Sequence, residues 1–462
     1  MDKGSSSSKP IHVLMFPWLA HGHFSAFAGL STRLADQGIE VSFLTTPLNI
    51  PRIKPMLANH EKIKLLEMPF PTVDGLPPGF ECTSDTPPHL LGFFIRVVQL
   101  LEKPFESLLQ RIPRPDCIIF DILQYWIPKV ATKFGIPTVF FLVFSASYCS
   151  YELSPCRAKS QEKITAEELT QPPAGYPSSA ISWHLSEAHL SIDLSYTQND
   201  GMRNIDRIMG CIEGCRAIAI KSCNELEEKF IKFFERVTMK PVFPVGPLLL
   251  PTQGGLEQGD SDCLKWLEKQ QDDSVVYVSF GSESFLTEQQ IQEIALGLEA
   301  AQQPFILVLR FQKDLSFVLP EGFENRVEQR RFVINGWAPQ REILCHPATG
   351  TFVTHCGWSS VLEGMSNGLP LIAVPIQYDQ GLNARLVAEE LKVGVEVERG
   401  KDALVNKYQI CSAVRRIMVG EEGKEIMQRA REMGNLFRGS ISSVSQRMYI
   451  DKFVEHLGSL VV

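Results

Sequence analysis

The chain has 462 residues, 44% hydrophobic and 21% charged, with a formal net charge of −8. That length exceeds one compact core and predicts two domains of roughly 200 residues each. The acid excess argues against a nucleic-acid or anionic-membrane surface, which needs clustered Lys and Arg.

The start, Met1 to Pro10, is polar and Ser-rich and lacks the apolar stretch of a signal peptide. The longest apolar run, Val139 to Phe144, is far short of the ~20 residues of a membrane helix. The expectation is a cytoplasmic monomer without a membrane span. Eleven cysteines, with no CxxC pair, read as buried thiols of a reducing compartment.

Ile11 to Phe16 is a short apolar run, a buried strand by length and composition. A loop, Pro17 to His23, follows it. Phe27, Leu30 and Leu34 then fall at helical spacing, and Gly38 stops the helix. Val41 to Leu44, Ile118 to Phe120 and Thr138 to Val143 predict further strands. Alternating strands and helices imply an α/β fold with a parallel sheet covered on both faces. Polar, Pro-containing pieces within 151–215, such as Gln171-Pro172-Pro173, predict loops over this first domain, and Ala217 to Lys221 resumes a strand.

Gly246-Pro247 and the Gly-rich stretch Pro251 to Asp260 predict a linker over 246–260. The rhythm then restarts with strand Val275 to Phe280, helix Glu288 to Ala300, and strands Phe305 to Leu309, Phe332 to Ile334, Thr351 to Thr354 and Leu371 to Val374. In open α/β sheets ligands sit beyond the carboxyl ends of the strands. Two such domains facing each other would form a cleft suited to a two-substrate transferase.

Four loops follow predicted strands at such positions. The first, Trp18 to His23, carries a histidine whose ordinary pKa lies near working pH and suits proton transfer. His21 rivals His23 for that role, and the plainer alternative is an exposed loop histidine. The second offers Asp121, which could fix an imidazole tautomer and stabilise its cation; equally it could cap the next helix. Asp116 precedes the same strand and so lies at the wrong end of the sheet. The third, Gly281-Ser282-Glu283-Ser284, could admit a phosphate to backbone N–H groups or simply turn into a helix capped by Thr287 and Gln290. The fourth runs from Thr351 to Gly368. Ser360 and Glu363 there have capping-box spacing; the functional alternative is an anion site at the helix start, aided by His355, Ser359 and Ser360.

Cys345, His346, His355 and Cys356 lack the short paired spacing of a zinc site, so no metal is expected. Signatures of dinucleotide oxidoreductases, P-loop enzymes and GxSxG hydrolases are missing from the chain.

Trp337-Ala338-Pro339-Gln340, Ile343-Leu344, His346, His355-Cys356-Gly357-Trp358, Glu363, Gly368-Leu369-Pro370, Pro375 and Asp379-Gln380 closely resemble, without a gap, the signature box of plant secondary-product glycosyltransferases. The Gly22-His23 loop, Asp121, Gly246-Pro247 and Gly281-Ser282 fall in that family's order. The resemblance implies the GT-B fold: two Rossmann-like domains whose parallel sheets face a central cleft. The acceptor domain would be 1–245 and the UDP-sugar domain 261–443, with the final helix, near Val444 to His456, returning to the first.

It also implies roles. Trp337 would stack on uracil, with Ala338 and Gln340 on its edge and Glu363 on the ribose. Ser282, His355, Ser359 and Ser360 would meet the diphosphate. Trp358, Asp379 and Gln380 would face the sugar, and Gln380 points to glucose; Gly357 and Tyr378 would also belong to the donor site. Trp18, Tyr125 and Phe144 are the expected acceptor contacts. His23 and Asp121 would be catalytic. UDP-sugar is then a co-substrate, and no cofactor is implied. Two departures stand out: Ser359 replaces the usual Asn, and Ala26 replaces a frequent Pro.

Phe16-Pro17-Trp18, Pro47 to Ile53, Tyr125-Trp126 and Gly175 to Ser179 further resemble the branch that adds sugars to flavonoid or terpenoid glycosides. The expected reaction is an inverting transfer from a UDP-sugar to a hydroxyl of a small lipophilic or glycosylated acceptor. The alternatives are a non-catalytic UDP-sugar or glycoside-binding protein on the same fold, and a glycoside hydrolase, which would need two facing carboxylates ~5–9.5 Å apart that nothing here marks.

Overall fold

The apolar runs pair as parallel strands in two separate sheets. The computed structural model describes residues 10–57, 60–158, 164–196, 198–199, 201–249, 258–284, 286–309, 319–399, 404–439 and 445–461. They fall into two compact units, one formed from Met1–Val143, Gln198–Leu250 and Ser445–Val462, the other from Phe144–Thr197 and Pro251–Val444.

The first unit holds β1 (His12–Phe16), β2 (Glu40–Thr45), β3 (Ile63–Glu67), β4 (Cys117–Phe120), β5 (Thr138–Leu142), β6 (Ala217–Ile220) and β7 (Val242–Pro244), ordered β3-β2-β1-β4-β5-β6-β7. Every residue of β4 and β5 is buried, which is why both read as unbroken apolar runs. Helix His21–Asp36 covers the sheet, with Phe27 against Phe141 at 4.9 Å between ring centroids. It stops as predicted, since Gly38 takes a left-handed φ of 87°. Strand order reverses between β1 and β4. Such a switch point opens a crevice at the carboxyl ends. Phe16 pairs with Phe120, so the following residues leave the sheet side by side.

The final helix, Ser445–Leu460, belongs to this unit and buries Tyr449, Phe453 and Leu457. The Tyr449 hydroxyl accepts the Asn224 N–H at 2.9 Å and donates to Glu225 at 2.7 Å. Val444, its expected first residue, lies outside the described residues.

The second unit repeats the plan. Strands β8 (Val275–Ser279), β9 (Phe305–Leu309), β10 (Arg331–Asn335), β11 (Thr349–Thr354), β12 (Leu371–Ala373) and β13 (Gly394–Glu396) are ordered β10-β9-β8-β11-β12-β13. Thr287 and Gln290 cap helix Glu288–Ala301 reciprocally, as their spacing predicts. Here the switch point lies between β8 and β11, where Ser279 pairs with Thr354.

Gln171-Pro172-Pro173 is irregular, as expected, and within 151–215 lie helices Pro155–Ala158, Ala166–Leu169, Leu185–Ser191 and Asn204–Gly214. The segment Phe144–Thr197, expected over the first domain, groups with the second unit rather than with 1–143. Its anchor is ionic. Glu187 pairs with Arg385 at 2.6 Å and with Arg399, and all three side chains are buried. Of the expected linker over 246–260, residues 250–257 lie outside the described residues.

All eleven cysteines are free; Cys156 and Cys345 are exposed, against the expectation of burial. Among the described residues no helix is long and apolar enough to cross a membrane.

Candidate functional site

In the first unit, parallel register at the switch point brings Asp121 beside the loop that precedes helix His21–Asp36. Asp121 is fully buried. Its Oδ2 accepts the Trp18 N–H at 2.8 Å and lies 2.7 Å from His23 Nδ1, and its Oδ1 accepts the Ile122 N–H at 2.7 Å. An ionised carboxylate only accepts hydrogen bonds. The proton between the two groups therefore belongs on Nδ1, and Nε2 is the basic nitrogen of His23. The ring keeps 13% of its surface exposed.

Asp121 is paired with His23. It is not the cap of the next helix, which starts at Trp126 with Tyr125 at its N-cap. Asp116 accepts the His12 N–H at 2.8 Å, at the opposite end of the strands. Gln124, which sequence reasoning missed, braces the dyad: it accepts the Asp121 N–H at 2.9 Å and donates to the Pro17 carbonyl at 3.3 Å. Leu123, in the same turn, has a left-handed φ of 63°. This places a buried anion and an oriented base together, an arrangement fit for general-base chemistry.

Of the expected acceptor contacts, Trp18 is buried edge-on to Phe94 at 5.8 Å, and Tyr125 is half-buried. Both share the first unit with His23. Phe144 is half-buried against Tyr148 at 5.4 Å in the second unit, so the three do not gather within one unit.

In the second unit, the loops after β8 and β11 clamp the His355 ring. A Cβ on Gly281 would lie 2.5 Å from His355 Cε1, and one on Gly357 would lie 2.5 Å from Nε2. Burial pushes the His355 pKa down to about 4, so the ring is neutral at physiological pH. Its buried Nδ1 has no hydrogen-bond partner among the described residues. Ser282 follows Gly281, whose φ is 74°.

Helix Trp358–Ser366 has Gly357 as its N-cap and no side-chain cap. The expected capping box of Ser360 with Glu363 is therefore absent: Ser360 already lies in the first turn, with Trp358 and Ser359. The reason is the turn itself. Cys356 takes a left-handed φ of 64°, which starts the helix early. A helix start without a competing side-chain cap, beside a buried neutral imidazole, suits an anion.

Glu363 turns elsewhere. It accepts from Gln340 Nε2 at 2.7 Å and lies 3.6 Å from the Arg341 guanidinium. Gln340 Oε1 accepts from the Tyr277 hydroxyl at 3.3 Å. Just before this polar pair Trp337 is 61% exposed, while Ala338 is buried. An exposed indole beside an oriented amide and carboxylate can stack a flat base and bind hydroxyls.

Beyond β12, Tyr378 has a left-handed φ of 56° and a partly exposed ring. Gln380 Oε1 accepts the N–H groups of Ile376 and Gln377 at 2.8 and 2.9 Å, which fixes the orientation of its amide. Asp379 is buried and oriented by Asn383 at 2.7 Å. Among the described residues His184, Glu187 and Glu396 offer ligand atoms within 4.8 Å of one another. Both carboxylates already pair with Arg385 and Arg399.

Comparisons with known proteins agree with this layout. Residues 9–250 match the family model described as glycosyltransferase, N-terminal domain, and residues 247–431 match UDP-glucoronosyl and UDP-glucosyl transferase. The chain is 34% identical to anthocyanidin-3-O-glucoside rhamnosyltransferase of Petunia hybrida, covering 98% of this chain and 97% of the relative. It is 34% identical to anthocyanidin 3-O-glucoside 2'''-O-xylosyltransferase of Arabidopsis thaliana, covering 99% of each. The crystal structure of Glycyrrhiza uralensis UGT73P12 with glycyrrhetinic acid 3-O-monoglucuronide superposes with a TM-score of 0.84 at 27% identity, covering 98% of this chain and 96% of that one.

Proposed function

We propose a specific reaction for this chain, which belongs to the plant UDP-dependent glycosyltransferases: it transfers a sugar from a UDP-sugar to a sugar hydroxyl of a flavonoid or terpenoid glycoside, with inversion. The observation that carries the reading is the buried Asp121 carboxylate 2.7 Å from His23. A merely binding protein has no use for so oriented a base.

In this mechanism His23 Nε2 takes the proton of the acceptor hydroxyl. The oxygen attacks the anomeric carbon on the face opposite UDP. The bond from that carbon to the diphosphate oxygen breaks, and its electron pair leaves with UDP. Asp121 stabilises the imidazolium. Charge on departing UDP is met by the start of helix Trp358–Ser366, His355, Ser282, Ser359 and Ser360, with no metal. Trp337, Ala338, Gln340 and Glu363 hold the nucleoside; Trp358, Tyr378, Asp379 and Gln380 face the sugar. Ser359 is shorter than the family's usual Asn and contributes mainly through its place in the first turn.

Gln380 favours glucose as the sugar moved. The two relatives named for rhamnosyl and xylosyl transfer act on glucosides by their names, which supports a glycoside acceptor while making the donor sugar the open variable. The reading includes a monomer in the cytoplasm, in keeping with eleven free thiols. Purified protein offered a panel of UDP-sugars against aglycones and their glycosides tests it by product mass. Addition of one hexose to glycosides supports the proposal. Turnover of aglycones alone rejects the glycoside acceptor, and turnover of another UDP-sugar alone rejects glucose.

A further inference from the structure

Asn383 lies one helical turn after Asp379 and is fully buried. Its Nδ2 donates to Asp379 Oδ2 at 2.7 Å and to the Cys356 carbonyl at 2.9 Å, and its Oδ1 accepts from the Ser145 hydroxyl at 2.6 Å. The amide has two N–H groups and one carbonyl. Both N–H groups face groups that only accept, and the carbonyl faces a hydroxyl. Turning the amide over would set its oxygen against a carboxylate and a carbonyl, so the observed orientation is the one the surroundings permit.

The partners are not arbitrary. Asp379 is the carboxylate read above as facing the donor sugar. Cys356 is the left-handed residue that turns β11 into the N-cap Gly357 of the helix read as the diphosphate site. Ser145 caps helix Ala146–Glu152 by accepting the Tyr148 N–H at 3.2 Å. The Ser145 hydroxyl proton is thereby committed to Asn383. One amide ties the sugar-facing carboxylate to the diphosphate turn and braces both against a third helix.

We propose that Asn383 is a positioning residue for the donor sugar, holding Asp379 in register with the diphosphate-binding turn; this rests on the reading that Asp379 faces the sugar. Without that amide, the buried Asp379 loses a donor and can swing, and the Cys356 turn loses its brace. The base and ribose contacts, built on Trp337, Gln340 and Glu363, do not involve Asn383. UDP keeps those contacts while UDP-sugar also loses the positioned Asp379, so the expected defect is larger for UDP-sugar than for UDP.

The test measures binding of UDP and of UDP-glucose, or the UDP-sugar that wild type turns over, to wild type and Asn383→Ala, together with steady-state kinetics. Asn383→Ala should raise the KM for UDP-sugar and lower kcat by about tenfold each, losing a hydrogen bond to a charged group, with UDP affinity changed less than about threefold. Equal weakening of UDP and UDP-sugar, or an unchanged ratio, would overturn the proposal. Should Asn383→Ala not fold, Ser145→Ala removes the brace on Oδ1 together with the cap of helix Ala146–Glu152 and leaves the Asn383 contacts to Asp379 and Cys356 in place. A shift of about twofold or more in the same ratio is then expected, and an unchanged ratio counts against the proposal. Wild type that binds no UDP would instead reject the donor-site reading beneath it.

Discussion

Nδ1 of His23 lies 2.7 Å from Oδ2 of Asp121, an oxygen that also accepts the Trp18 backbone N–H. Asp121 directly follows β4 and His23 lies in the first turn of the helix after β1, and the parallel register of these adjacent strands brings the two loops together. Asp121→Asn replaces a group that accepts from three donors by one that must present an NH₂ to one of them. We expect kcat to fall about 10²–10³-fold with little change in KM for UDP-sugar. The lost backbone hydrogen bond should cost about 1–3 kcal/mol of stability, read by urea denaturation.

His355 gives a pH prediction. Its pKa is pushed from an ordinary 6.5 down to about 4 by burial. The unfolded chain then binds the proton more readily than the folded one between those values. Stability contributed by the neutral ring is complete above pH 6.5, falls as pH drops toward about 4, and is flat below. The total is on the order of 3 kcal/mol. Denaturation of wild type and His355→Asn across pH 4–7 should show curves that converge as pH falls.

Much of this layout is legible in the sequence, and the losses have physical causes. Buried strands such as β4 and β5 announce themselves because both faces are covered. In the two large sheets the strands without a clear signal, β3, β7 and β13, lie at sheet edges and are either half-exposed or only three residues long. The Thr287 cap was readable because a capping box is local. The start of helix Trp358–Ser366 was not, because it depends on a left-handed Cys356 that no propensity favours. The allegiance of Phe144–Thr197 was hidden for another reason. Glu187 and Arg385 are 198 positions apart, and neither is unusual in its own neighbourhood. Gln124 and Asn383 were missed likewise: a buried amide looks like any polar residue until its partners are in place.

The Glu187 junction makes its own prediction. Burial works against its charge, yet Arg385 and Arg399 hold the carboxyl below its usual range. Glu187→Ala would leave two buried guanidinium groups with Glu396 as their remaining carboxylate. Removing one partner of a buried ionic network costs about 3–5 kcal/mol, which thermal or urea unfolding would register.

Trp337 should show the opposite pattern. Its side chain is largely exposed, so Trp337→Ala should change stability by no more than about 0.5 kcal/mol. Stacking of a base on an aromatic ring is worth about 1–3 kcal/mol, so UDP affinity should fall roughly tenfold or more. Calorimetric titration with UDP reads the second effect and a thermal melt the first.

The account depends most on His23 as the base that activates the acceptor hydroxyl. The direct measurement is turnover of His23→Ala, with UDP affinity determined on the same preparation. Transfer should drop by about 10²–10⁴-fold while UDP binds as in wild type. Turnover at the wild-type rate with UDP binding intact would contradict the assignment.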